Sequence, residues 1–573
     1  MKLEPKILFA AVLAASIPSL SLAQGATAGG TDHPAITHKE LGRMWPFEHA
    51  PVAFFEHEYG FSPSAEWLEA VRLASLRYGE WCSASFVSPR GLIMTNHHCA
   101  RDNVVAVTPE GKDWLTTGYF ANSLDEEVKI PGLTVQQLVS MKDVTKAMNE
   151  GIAKDLAGDE LAKALDANEK RILEEAGKAE AELLHEVVSL YQGGSYQLYS
   201  YKVYRDIRLV GTPDLKIAAF GGDPDNFTYP RFSLDFSFVR AWENDKPADT
   251  SAHYFKVKAR GAKEGETVFV SGNPGSTGRL DTLAQMEFLR DLEYPAILRQ
   301  VKAQLQNLRE REKSGEKGDL RGDILNLENT LKAYTGYLDG LRNEKVMETK
   351  RKAEKELREK VAADSALVER FGDPWKRLEE IVAEKRELIR DRKAGFRERF
   401  AELGPEEEAL VKRIGEAFFS VYGTAVPPDA TFTLRLSDGV MKSYPMNGTV
   451  APYFTSLYGL FARNTEFGNE GAFALESKWL EKLGELDLTT PFCVVSTCDI
   501  IGGNSGSPMI DRDLKVVGLV FDGNIESLGN RFVYTDDVAR TVSVHPAIIL
   551  ESLRKIYGAG KLADEFEGKG TGY

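Results

Sequence analysis

Thr95-Asn96-His97-His98-Cys99-Ala100 closes the apolar run Gly91-Leu92-Ile93-Met94, and its reading decides the rest of the chain. A histidine beside a cysteine at the end of a strand-like run is a candidate base or metal ligand. Far downstream, Gly502-Gly503-Asn504-Ser505-Gly506-Ser507-Pro508 sets a serine in a glycine-flanked turn. A serine nucleophile needs a base, an exposed hydroxyl, and backbone N–H groups aimed at the developing oxyanion. Glycine permits that turn and the close approach. Ser505 is the candidate nucleophile, and the N–H groups of Gly503 and Ser505 are the candidate oxyanion donors. Adjacent residues of a strand face opposite ways, so only one of His97 and His98 can meet the serine. His98, held beside Cys99, is the chosen base; His97 is left to support or pack.

A third group must orient the imidazole. Asp223 and Asp225 flank Pro224 in Gly221-Gly222-Asp223-Pro224-Asp225-Asn226-Phe227, where turn formation explains them. Asp235 instead leads into the apolar run Phe236-Ser237-Phe238-Val239, and a carboxylate entering a buried strand needs a partner. Asp235 is therefore the candidate acid.

The chain has 573 residues, enough for two to four domains, and at 43% hydrophobic and 27% charged it has a soluble globular balance. Its formal net charge of -15 argues against nucleic acid as a partner. Residues 1–23 read as a signal peptide: Lys2 and Lys6, an apolar run from Ile7 to Leu22 broken by Pro18, and Ser21-Leu22-Ala23 before the cut. The expected location is the periplasm or outside the cell, with no membrane span after cleavage. Four cysteines in an oxidising compartment allow three pairings. A hairpin turning at Ser88-Pro89-Arg90-Gly91 favours Cys82–Cys99, with Cys493–Cys498 as the second bridge. No second Cys-x-x-Cys or histidine cluster accompanies them, so no metal and no cofactor is expected.

Along the chain, Pro63 to Tyr78 has helical spacing, and Asn103 to Val107 and Leu133 to Leu138 read as short strands. Residues 142–190 are Ala/Glu/Lys/Leu-rich and read as a helical excursion, with His185 on its surface. Strand character returns from Leu198 to Val210, in Phe232 to Trp242 and in Thr267 to Gly272. From about Leu280 to Phe418 charged helical runs dominate, with Pro427-Pro428 at their exit. Strands resume at Thr431 to Leu436, Phe492 to Val495, Val516 to Phe521, Arg531 to Tyr534 and Val542 to Val544. Pro546 to Tyr557 is read as a closing helix. The reading is mainly β with a large α insertion. A peptidase domain is made from residues 24–279 and 427–573, and an inserted α-helical cap from residues 280–426.

The order of His98, Asp235 and Ser505 resembles that of chymotrypsin. More narrowly, Thr95-Asn96-His97-His98-Cys99, Gly222-Asp223-Pro224-Asp225-Asn226-Phe227 and Phe521-Asp522-Gly523-Asn524 resemble the bacterial dipeptidyl aminopeptidases grouped with dipeptidyl peptidases 7 and 11. That resemblance implies a chymotrypsin-like double β-barrel capped by a helical domain, in an exopeptidase that removes dipeptides from a free N-terminus. It implies that Asn226, Phe227, Asn329 and Asp522 bind the substrate's amine. The usual aromatic at the Phe227 position is Trp. It further implies that Gly523 shapes the pocket for the residue before the cut. Members that cut after Asp or Glu carry Arg there, so Gly523 leads to an expected apolar or aromatic preference. A homodimer is also implied. Two alternatives stand beside this reading: a periplasmic trypsin-like endopeptidase, which shares the triad without the amine site, and an inactive barrel serving as an envelope binding module.

Overall fold

The computed structural model describes residues 38–153, 156, 158–316, 320–391 and 395–570. The proposed signal peptide lies outside the described residues. Two largely antiparallel sheets divide the strands. One has eleven strands and the other nine, with a two-stranded hairpin apart from both. About half of the protein is helical and 21% is strand. It is thus a mixed fold rather than the mainly β one expected, because helices also fill the gaps between strands outside the insertion. The pairings run along open paths among the described residues, and neither sheet closes into a barrel.

The first sheet carries the histidine stretch. Strands β1 (Cys82–Phe86) and β2 (Leu92–Thr95) form the expected hairpin, with Ser85 opposite Met94 and Phe86 opposite Ile93. Its turn depends on Gly91 at φ 69°, where a Cβ would lie 2.7 Å from the Ala241 carbonyl. Ser88 Oγ accepts the N–H groups of Arg90 and Leu92 and holds the turn. The chain then leaves the sheet: Asn96 is extended and α1 (His97–Val107) begins at once. Asn103 to Val107 is therefore helix, not strand. Ala100 and Val104, one helical turn apart, are the fully buried apolar residues of α1.

Two further boundaries differ from expectation. The span 142–190 is not a single helical excursion. It starts within the strand Val135–Asp143, contains the helices Thr145–Met148 and Gly158–Ala179, and ends in the strand Leu184–Leu190. His185 lies on that last strand, with Nδ1 at 2.9 Å from Ser200 Oγ on the neighbouring strand. Near the other end, Arg531 closes the 3-10 helix Ile525–Arg531 and residues 532–534 form a turn and loop, rather than a strand.

Strand β3 (Ser237–Glu243) pairs with β2, Ser237 opposite Thr95, so Asp235 enters exactly where the chain turns into α1. In the second sheet, β4 (Thr267–Gly272) pairs directly with β5 (Arg435–Val440). All the helices from Leu283 to Tyr422, including α2 (Leu320–Arg342), lie between these two neighbours in the chain. Strands β6 (Pro508–Ile510) and β7 (Lys515–Gly523) continue that sheet, and the Ser505 turn leads into β6. The C-terminal helix Gly560–Glu567 is tied to the first sheet through a buried cluster. Arg240 donates at 2.7 Å to Glu127 and at 2.7 and 3.0 Å to Glu565. Removing such a cation would strand two buried carboxylates, at a cost of roughly 3–5 kcal/mol.

Cys82 and Cys99 form a disulfide. Cys493 and Cys498 do not: both are buried free thiols. Cys493 lies in the strand Pro491–Ser496 and Cys498 two residues past its end; five steps of extended chain span roughly 16 Å at about 3.3 Å each, far beyond the ~7 Å that a disulfide allows. Their sulfurs lie in different cores, Cys493 Sγ 3.7 Å from the Ser233 carbonyl and Cys498 Sγ 3.7 Å from that of Val268. Burial pushes both thiols up to about 12, which suppresses the reactive thiolate. Thiol titration should accordingly find none in the native protein and two per chain after denaturation without reductant. Four or zero after denaturation would contradict this assignment.

Candidate active site

The candidate residues from both sheets and from α2 meet in one cleft of about 280 Å³. His98, Asp235, Ser505, Asn226, Phe227, Asn329, Asp522 and Gly523 all line it. Gly503 stands just behind the wall, at φ 103°, where a Cβ would lie 2.4 Å from the Asn273 carbonyl.

His98 meets Asp235 twice. Its backbone N–H donates to Asp235 Oδ1 at 3.0 Å, and its ring Nδ1 lies 2.5 Å from Oδ2. The first bond follows from helix geometry: His98 is in the first turn of α1, where N–H groups have no partner within the helix. Asn96 donates its side-chain N–H to the Asp235 carbonyl at 2.8 Å and fixes the backbone there. Burial drives the Asp235 carboxyl up, but the His98 imidazole and its hydrogen bonds outweigh it and hold the group below the usual range. An ionised Asp235 keeps the proton on Nδ1 and leaves Nε2 as the free base.

The histidines differ by helical rotation rather than by strand alternation. The His98 side chain is 40% exposed into the cleft, and His97 as a residue is 2% exposed. Burial holds His97 down at about 4, and its Nε2 has no hydrogen-bond partner. Next to His98 the cysteine sulfurs are covalently joined, so they are not thiolate ligands.

The Ser505 turn is clamped onto β1. Ser83 donates its N–H to the Ser505 carbonyl at 2.8 Å, and its Oγ donates to the Gly503 carbonyl at 2.8 Å. Gly506, at φ 87°, passes so close that a Cβ would lie 2.0 Å from the Ser83 carbonyl. The N–H groups of Asn504, Gly506 and Ser507 are taken by the carbonyls of Ile501, Val520 and Asn504. Those of Gly503 and Ser505 have no protein acceptor among the described residues. A turn with these two N–H groups left open suits a developing oxyanion.

On the other wall, Asn226 Nδ2 donates to Asn329 Oδ1 at 3.1 Å. Phe227, at φ 53°, gives its N–H to Asp522 Oδ2 at 3.0 Å, and Gly523 gives its N–H to Oδ1 at 2.8 Å. Asp522 is also ion-paired with Arg231 at 2.7 Å. Burial raises the Asp522 carboxyl, against the pull of Arg231. Arg231, four residues after Phe227, and Arg101 line the cleft without any local pattern that marks them, and Asn96 and Ser83 support it from behind through the carbonyls of Asp235 and Gly503.

With this geometry in view, comparison with known proteins is informative. A model of the family Peptidase S46 matches residues 40–402 and 389–568, and the chain belongs to that family. It is a serine-type dipeptidyl-peptidase, a hydrolase. An Asp/Glu-specific dipeptidyl-peptidase of Capnocytophaga gingivalis is 23% identical over 87% of this chain and 92% of its own length. A dipeptidyl-peptidase 7 of Phocaeicola vulgatus is also 23% identical, over 85% and 90%. The fold is that of Porphyromonas endodontalis DPP11, whose structure in complex with the dipeptide Arg-Asp superposes with a TM-score of 0.78. That match is 19% identical and covers 92% of this chain and 99% of the other.

His97 leaves a measurable mark on stability. Its folded value of about 4 lies below the 6.5 of a free histidine. Between those values the unfolded chain binds a proton that the folded chain refuses, so stability falls as pH drops from 6.5 and the loss is complete below about 4. It amounts to at most about 3 kcal/mol. His97→Gln should flatten this part of the profile in denaturant titrations at pH 7, 5.5 and 4.5. Parallel profiles for the two proteins would rule it out.

Proposed function

We propose that this peptidase releases dipeptides from peptides with a free N-terminus, with an apolar or aromatic residue before the cut bond. In this reading His98 Nε2 takes the proton of Ser505 Oγ as the hydroxyl attacks the scissile carbonyl, then returns it to the leaving amine. Asp235 holds the imidazole, and the N–H groups of Gly503 and Ser505 receive the oxyanion. Asn226, Asn329 and Asp522 bind the ammonium through amide oxygens and a carboxylate, while the Phe227 ring walls that end. The carrying observation is that these groups, from both sheets and from the inserted helices, line one cleft.

Gly523 supports the apolar preference. It brings no charge to the pocket beside Ile500, Phe521 and Leu528, and the nearby Arg231 is already committed to Asp522. This differs from the specificity of the Asp/Glu-specific relative. The two sheets, open along their pairing paths, are read as unclosed counterparts of the two barrels of a chymotrypsin-like peptidase domain, residues 24–279 and 427–573, and the helices of residues 280–426 as its cap. A homodimer, exported to the periplasm or beyond by residues 1–23, completes the proposal. No helix among the described residues is long and apolar enough to cross a membrane.

A panel of dipeptidyl fluorophores with apolar, acidic and basic residues before the bond tests the reading. Free N-termini should be cleaved and their N-acetylated forms spared; equal rates would favour an endopeptidase. Apolar substrates should lead, and Gly523→Arg should shift the preference toward Asp and Glu. The new Cβ would meet Ser527 Oγ at 2.4 Å, so the shift should be larger with Ser527→Ala added. A wild-type lead for acidic residues would sink the pocket argument.

Asp235→Asn tests the triad separately. It should lower kcat on the order of 10⁴-fold, with KM changed little. A loss below tenfold would remove Asp235 from its role.

A further inference from the structure

Among the described residues, Arg101 is the one arginine or lysine lining the cleft that neither the triad nor the amine site uses. It stands on α1 three residues after His98, so the two side chains share a helix face. It is 7% exposed and lines the cleft. Its Nη2 donates at 3.0 Å to Asn326 Oδ1 of α2, while its Nε is buried with no hydrogen-bond partner. Its ion-pair partner is Asp102, 3.7 Å from Nε on a side chain 86% exposed to water. Such a pair compensates a buried charge weakly. An under-compensated guanidinium with donors to spare suits an anionic or carbonyl ligand.

Helix α2 shows where along the substrate that ligand would sit. Asn326, Asn329, Ala333 and Tyr337 of α2 all line the cleft. At 1.5 Å per residue, Asn326 lies about 4.5 Å before Asn329 along the axis, and Tyr337 about 12 Å beyond it. Asn329 marks the amine site. The pocket for the residue before the cut lies toward the Tyr337 end, where Leu528 packs against Gly336; a Cβ there would lie 2.3 Å from Leu528 Cδ1. Arg101 is at the opposite end, beside the Leu215–Ala219 wall. The first residue of a peptide carries both the amine and a side chain, and the room left for that side chain leads toward Arg101.

We infer that Arg101 determines specificity for the N-terminal residue of the substrate, favouring acidic or hydrogen-bond-accepting side chains there and disfavouring Lys and Arg. The inference rests on the exopeptidase reading and adds the position which that reading leaves open.

The test uses the full-length enzyme and four dipeptidyl fluorophores, Glu-Leu, Lys-Leu, Glu-Asp and Lys-Asp, so that the outcome does not depend on the preference before the cut. Wild type should cleave the Glu-first member of each pair with a kcat/KM roughly ten- to hundredfold above the Lys-first member, as a charged hydrogen bond gained or lost implies. Arg101→Met should bring the ratio close to one, mainly through KM, and Arg101→Lys should keep its direction. Wild type favouring Lys-first substrates overturns the proposal, whether or not the variants fold. A folded Arg101→Met enzyme with the wild-type ratio also overturns it, as does an effect seen only with longer peptides bearing an acidic third residue, which would place Arg101 on the leaving side. Failure of the exopeptidase reading is distinguishable, since it appears as equal cleavage of N-acetylated substrates.

Discussion

Ser83 is the joint on which the site depends. It belongs to the sheet that carries His98, yet its N–H and its hydroxyl hold the carbonyls of Ser505 and Gly503 from the other sheet. Its hydroxyl in turn accepts the Asn273 N–H at 2.8 Å, at the end of β4. Ser83 sits beside Cys82, whose disulfide to Cys99 ties the same strand to the helix of His98. One strand thus fixes serine and histidine to each other across two sheets. Only the bond from the Ser83 N–H is backbone to backbone; the others prescribe the Ser83 hydroxyl and the Cys82–Cys99 pair, and the close approach requires glycine at 506.

The second constraint is the helical insertion between two paired strands. β4 and β5 are paired neighbours, with Gly272 opposite Arg435, so the insertion leaves and re-enters at the same end of the two strands and can be long without disturbing the sheet. From there α2 reaches back over the cleft. Its bonds to Arg101 and to Asn226 span from the catalytic helix to the loop before Asp235. Under the proposed function, the helix would thereby relate the place of the substrate's amine to that of the cut bond.

The electrostatics divide the two histidines and the buried carboxylates. Asp235 is held ionised by its neighbour, His97 is held neutral by burial, and Asp522 is balanced by Arg231. Within one cleft, depth and partner rather than residue type set each charge, as expected where desolvation competes with specific pairing.

The sequence by itself determined the family and the local pieces of the site: the Cys82–Cys99 hairpin, the long helical run between strands, and the short stretches around His98, Asp235 and Ser505 that the fold brings into one cleft. Those signals are local, carried by glycines, prolines and short runs whose conformations depend on near neighbours. The tertiary structure decided what depends on partners distant in the chain. It made 97–107 a helix where alternation suggested a strand, because burial of Ala100 and Val104 against the sheet overrides local preference. It kept Cys493 and Cys498 apart, since two residues near in sequence can face different cores on an extended strand. It also placed Arg231 and Arg101 at the cleft and Ser83 behind the Ser505 turn, where no pattern in the chain marks them: a polar side chain acquires a role only from the surfaces that fold around it.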